Sequence, residues 1–178
     1  MSQRFGPTFQ QGYVVRDLEA SLRHWTQVLG VGPFFLVPMP LQFTWLDVRR
    51  QRVQNTDIIA QTAIAYSGDM QIELILPGTA PSTYHEFLAA GREGAHHLGF
   101  AAREYDVQLK NALASGLEPL LQGELPGFRF AYFDTDPRYT SALVELIEVS
   151  PQAQAMFDVM KVGSVGWDGR DPIRQFTP

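Results

Sequence analysis

The chain has no cysteine. That excludes a disulfide framework, a thiolate metal site and a cysteine nucleophile. It also lacks any apolar run approaching the ~20 residues that cross a bilayer as a helix. Its opening residues, MSQRFGPTFQQ, hold no apolar segment of the kind a secretory signal needs. A cytoplasmic protein with no membrane partner is expected. Basic charge is scarce as well: 14 Lys and Arg stand against 19 Asp and Glu, a formal charge of −5, with the signs mixed along the chain. No basic stripe marks a nucleic-acid partner. Histidine is rare, with four in the chain, yet two of them are adjacent in EGAHHLGFAA.

What is present is an ordinary globular composition, 45% hydrophobic and 19% charged over 178 residues, which fits a single domain, 1–178. The chain also repeats itself. QQGYVVRDLEASL (10–22) aligns without a gap on HLGFAAREYDVQL (97–109), an offset of 87 residues. Gly12 meets Gly99, Tyr13 meets Phe100 and Leu22 meets Leu109. Each copy reads as a short strand followed by a helix: residues 18–29, with Leu18, Leu22, Trp25 and Leu29 at helical spacing and Gly30 as the stop, and residues 104–115, ended by Gly116. A second echo pairs MQIELILP (70–77) with ALVELIEVSP (142–151) and sets Glu73 against Glu145. Strand candidates lie between: 34–37, 41–48 and 57–67 in the first copy, 117–125 and 128–134 in the second.

The expected architecture is therefore α+β: two tandem βαβββ modules forming a curled, cup-like mixed sheet with helices outside. Residues 9–76 form the first module, 77–94 a linker with a short helix at 84–90, 95–150 the second module, and 151–178 a C-terminal helical extension. The surplus length of the first copy falls near 38–58, as a loop over the site. DTDPRY (134–139) reads as a tight turn.

The repeat explains the histidines. In a strand, neighbours face opposite ways, so His97 shares a face with the small Gly99 and Ala101, and His96 with Leu98 and Phe100. His97 occupies the place of Gln10, and Glu145 that of Glu73. A pseudo-two-fold arrangement would bring Gln10, Glu73, His97 and Glu145 together as a metal shell of one nitrogen and several oxygens. Gly12 and Gly99 leave room on the same face, and His96 takes a supporting position. Both glutamates interrupt apolar strands, where an unpaired charge is costly. Phe34, Phe35, Trp45, Tyr132 and Phe133 lie on strands able to line the cup.

In their order and content, QQGYVVRDLEASLRHWTQVLGVGPF, MQIELILP, GAHHLGFAA and ALVELIEVSP resemble the vicinal oxygen chelate superfamily, which includes glyoxalase I, methylmalonyl-CoA epimerase, bleomycin-resistance proteins and extradiol dioxygenases. The resemblance covers residues 9–150. It implies paired βαβββ modules around a divalent metal, with Gln10, Glu73, His97 and Glu145 as ligands. It does not separate Zn, Ni, Co, Mn and Mg. This Gln-Glu-His-Glu set is similar to the zinc-type glyoxalase I pattern. The resemblance then implies a metal-dependent lyase or isomerase acting on a small carbonyl or thioester substrate. A proton moves through a metal-stabilised enediolate or enolate, with Glu145 as first candidate base and Glu73 as its partner. A non-catalytic ligand-binding protein of the bleomycin-resistance kind is the alternative. An extradiol dioxygenase fits less well, because Gln10 stands where its iron triad needs a second histidine. Met156, Phe157, Met160 and Val162 of the tail pack a helix either on the cup or on a second subunit of a homodimer.

Overall fold

The computed structural model describes residues 2, 4–136 and 142–176. Its strands are β1 (Thr8–Val14), β2 (Phe34–Leu36), β3 (Trp45–Val48), β4 (Gln51–Arg52), β5 (Ile59–Ser67), β6 (Met70–Pro77), β7 (Gly94–Ala101), β8 (Pro119–Leu125), β9 (Phe128–Phe133), β10 (Leu143–Val149) and β11 (Ile173–Gln175). Its helices are α1 (Leu18–Arg23), α2 (Thr83–Ala89), α3 (Tyr105–Ala114) and α4 (Pro151–Ser164). All eleven strands join one curled, unclosed sheet in the order β11-β2-β5-β6-β1-β7-β10-β9-β8-β3-β4. The expected α+β architecture is what forms.

The centre of that order carries the duplication. β1 runs parallel to β6, β7 runs parallel to β10, and β1 and β7 pair antiparallel between them. Each parallel pair is bridged on its outer side by a helix. On α1, the Asp17 carboxylate caps the first turn by accepting from the Ala20 N–H at 2.9 Å. Leu22 is then buried against Phe34, Ala63, Ile72 and Leu74. The helix continues as a π-helical turn over His24–Val28, and Gly30, at φ +67°, ends it. On the other half Tyr105 and Ala112 of α3 pack on Ala131, Phe133, Val144 and Leu146.

Strand periodicity does the rest. Ile72 and Leu74 are committed to the outer core under α1, so Glu73 between them faces inward. Val144 and Leu146 commit Glu145 in the same way. A one-residue slip in either strand would bury the carboxylate under a helix and empty a core layer, so the register is strongly held.

Three expectations change. Residues 38–58 are not simply a loop over the site: Trp45–Val48 and Gln51–Arg52 form a hairpin that crosses to pair with β8 of the other half. The C-terminal extension is not wholly helical, because Ile173–Gln175 adds a parallel strand beside β2. The short helix of the linker starts at Thr83, one residue ahead of the expected start, and places Tyr84 and Phe87 in the inner core. Of the turn expected at 134–139, residues 137–139 lie outside the described residues. Among the described residues no helix is long and apolar enough to cross a membrane.

Candidate functional site

The site is built where β1 and β7 cross the middle of the sheet. Across four strands the register sets Glu73 beside Gly12 and Gly12 beside His97, and next to that row Gln10 beside Gly99 and Gly99 beside Glu145. Each glycine thus stands between two of the polar residues. A Cβ on Gly12 would come within 1.8 Å of the His97 imidazole, and one on Gly99 within 2.7 Å of Gln10 Oε1. Each half supplies the gap that the other half's side chain fills.

The structure brings all four side chains to one point. His97 Nε2 lies 3.4 Å from Glu73 Oε2, 3.3 Å from Glu145 Oε2 and 3.4 Å from Gln10 Oε1. His97 is fully buried, Gln10 and Glu145 nearly so, and Glu73 is partly open to the cup. Burial pushes Glu145 up to about 7; Glu73 adds to this, while His97 and a hydrogen bond from Tyr132 oppose it. Burial alone would lower His97, but the Glu145 and Glu73 carboxylates outweigh it and its basicity rises.

His96 is placed differently from the expectation. The β1–β7 ladder has two irregularities: Phe9 is left without a partner between Thr8↔Phe100 and Gln10↔Gly99, and His96 between Gly12↔His97 and Tyr13↔Ala95. These are β-bulges, each at the residue just before a polar site residue and related by the same offset of 87. The bulge breaks strict alternation. His96 therefore leaves the face of Leu98 and Phe100 and packs with Tyr84, Phe87 and Tyr132. Its Nδ1 is 3.2 Å from His97 Nδ1, and its other nitrogen bonds the Thr83 backbone. Burial drives its pKa to about 3, so it stays neutral. A neutral His96 donating to the Thr83 carbonyl must accept at Nδ1. His97 then carries its proton on Nδ1 and points Nε2 at the carboxylates.

Further residues complete the surroundings. Gln10 Nε2 donates to Gln71 Oε1 at 2.7 Å, and Gln71 Nε2 donates to the Tyr66 hydroxyl at 2.7 Å. That chain fixes the amide so that Gln10 presents its oxygen. Thr62 donates to Glu73 Oε1 at 3.3 Å. Tyr84 donates to the Tyr132 hydroxyl at 3.2 Å, and burial beside Glu145 holds both phenols well above their ordinary pKa. Sequence reasoning placed Tyr132 on the cup but missed Gln71, Tyr66, Thr62 and Tyr84. Only the Tyr84/Phe87/Leu88 helical spacing signalled any of them. Phe34, Phe35 and Phe133 pack in other cores, and Trp45 lies on the edge hairpin against Glu124.

Among the described residues, no three His, Asp and Glu side chains form a ready-made metal-binding group; the carboxylates close on His97 instead. The donor set nonetheless suits a divalent ion. Bonds of about 2.0–2.2 Å place neighbouring donors about 3.0–3.5 Å apart, and the three oxygens stand 3.3–3.4 Å from Nε2. Above them opens a cavity of about 140 Å³, bounded by Glu73, Glu145, Phe43, Ile58, Phe130 and Phe157 among others.

Residues 9–133 match the model of the Glyoxalase/Bleomycin resistance protein/Dioxygenase superfamily, and the chain belongs to that family. Solved structures with the same fold include a hypothetical protein from Bacillus halodurans C-125, with TM-score 0.60, 19% identity, and coverage of 83% of this chain and 96% of that one. Methylmalonyl-CoA epimerase from Mycobacterium tuberculosis gives 0.59 and 17%, covering 87% and 96%. A methylmalonyl-CoA epimerase in complex with methylmalonyl-CoA and NH4+ gives 0.55 and 19%, covering 83% and 99%. A search of curated proteins finds no match.

Proposed function

We propose that this chain is a metal-dependent lyase or isomerase that moves a proton on a small carbonyl or thioester substrate. The observation that carries the reading is the meeting of one imidazole nitrogen and three oxygens at the β1–β7 crossing, with one carboxylate deeply buried. Gln10, Glu73, His97 and Glu145 are the residues that would hold a divalent cation. The cation would supply the positive charge that stabilises negative charge developing on substrate oxygens.

The chain's own groups account for the remaining chemistry. The two carboxylates beside His97 favour its charged form; a bound cation would compete with a proton for Nε2, so metal affinity would rise with pH. His96 holds the ring so that Nε2 keeps facing the centre. Glu145 is the proton carrier: it is buried at the cavity floor, and because a bound cation would favour its charged form, it would take and return the proton by loosening from the cation as substrate oxygens arrive. Tyr132 bonds it and restrains its orientation. Glu73, less buried and bonded by Thr62, is the partner on the opposite side.

The test is Glu145→Gln, with metal content and substrate-carbon deuterium exchange read on the same sample. Glutamine keeps the shape and one oxygen donor but is not basic. The variant is expected to keep most of its metal and lose exchange by about 10²–10⁴-fold. Full metal with undiminished exchange would move the role to Glu73. A second reading, ligand sequestration without chemistry, is favoured by the way the carboxylates already pair with His97 beneath a mostly apolar cavity. That reading requires tight ligand binding with neither metal nor product.

A further inference from the structure

We infer that the cavity takes an uncharged apolar body about the size of one six-membered ring, and that the C-terminal helix α4 closes one side of it with Met156 and Phe157. The cavity of about 140 Å³ is comparable with the ~150 Å³ engineered cavity that admits benzene. Its wall holds aliphatic and aromatic side chains from both halves, among them Ile58, Ile64, Phe130 and Ile147. No Lys, Arg or His lines it among the described residues, and its only charged groups are Glu73 and Glu145. The wall hydroxyls of Thr62, Tyr84 and Tyr132 are already spent on Glu73, Leu74, Glu145 and each other. A carboxylate or phosphate on the substrate body would enter with no countercharge and no free donor, at a cost that burial makes severe. An apolar body needs neither.

The α4 side of the wall comes from outside the matched family segment 9–133. Ser150 caps this helix by accepting from the Ala153 N–H at 3.2 Å, and Pro151 begins it. Phe157 is anchored between Phe9 and Phe128, at ring separations of 6.4 and 5.6 Å, and Met160 is fully buried below it. Met156, half-buried on the same helix, reaches the cavity beside Phe157. An unbranched thioether at that point lets the wall adapt to the ring that enters.

Taken with the proposed proton transfer, on which this part rests, the substrate class is a neutral hydroxycarbonyl or dicarbonyl bearing an aryl or compact alkyl group. The test uses calorimetry or NMR titration with toluene, benzoate and 2-hydroxyacetophenone, on metal-free and Mn²⁺-loaded protein. Toluene is expected to bind both forms, with benzoate about tenfold weaker or more on metal-free protein, where the only charged groups it meets are carboxylates. Met156→Lys is expected to weaken toluene about tenfold, while Met156→Leu stays within about threefold. Benzoate binding metal-free protein as tightly as toluene, or an unchanged Met156→Lys, overturns the inference. The two readings separate through 2-hydroxyacetophenone. If toluene binds as expected but Mn²⁺ adds nothing to the hydroxyketone, the metal chemistry falls and the apolar pocket stands.

Discussion

Gly12→Ala tests the crossing of β1 and β7 directly. Gly12 does not sit at positive φ, so an added methyl brings no backbone strain of its own. Its cost is purely one of space. The new Cβ would lie 1.8 Å from His97 Cε1 and 2.2 Å from Nε2, about half a normal contact distance. The imidazole cannot step aside, because it is fully buried, packed edge-on against Tyr132 at 4.9 Å and tied to His96. Overpacking a tight core costs about 1–3 kcal/mol, and a clash of this depth belongs at the top of that range, about 3 kcal/mol. Urea unfolding of metal-free protein measures it. The decisive arm is a double-mutant cycle with His97→Ala. With the ring gone, the methyl enters the vacated space, and Gly12→Ala should cost less than about 1 kcal/mol, a coupling of about 2 kcal/mol. An equal cost of Gly12→Ala in both backgrounds would refute the idea that this glycine exists to admit His97.

His97→Ala removes the sole nitrogen donor of the four and should lower Mn²⁺ or Zn²⁺ affinity in calorimetry more steeply than His96→Ala, whose effect should fall near the 10–100-fold of an orienting residue; equal losses would mean that the wrong ring was assigned to the metal. His96 also predicts a pH dependence. Its folded pKa of about 3 lies below the ordinary 6.5, so the unfolded chain takes up a proton first as the pH falls. The stability it contributes is fully present above pH 6.5 and lost between 6.5 and 3, by about 2 kcal/mol between pH 6.5 and 5 at 1.36 kcal/mol per unit. Urea unfolding of the parent and of His96→Gln at those two pH values should differ in slope by about one proton, and parallel slopes would remove His96 as the source.

The polar site was legible because a duplicated strand writes its pseudo-symmetry into sequence spacing. An offset of 87 residues places Gln10 on His97 and Gly12 on Gly99, and the antiparallel β1–β7 pairing turns that offset into contact. The carboxylates were legible for a different reason: an isolated Glu inside IEL or VELI can only face the side that the flanking core residues leave free. Neither signal depends on long-range detail. The features that escaped do. Nothing in the composition of Phe9 or His96 marks a bulge, since each is set by the partner strand skipping a residue. Likewise the 45–52 hairpin reads as ordinary strand and turn, and only its pairing with β8 carries it across the sheet.

The bulges also resolve why two histidines should stand together at all. Without a bulge at His96, strand alternation would send that ring toward the outer layer of Phe100 and Tyr105, away from His97. With it, both rings reach the inner side within hydrogen-bond distance, one facing the carboxylates and the other held by the Thr83 backbone. The equivalent residue of the first half, Phe9, goes to a different use: its ring packs on Phe157 and anchors the helix that walls the cavity. One backbone irregularity, duplicated with the rest of the unit, thus serves ring orientation in one copy and the cavity wall in the other. The pseudo-symmetry of the backbone is kept while its chemistry has diverged. For that reason a repeat alignment alone locates the four polar residues but not the shape of the space they face.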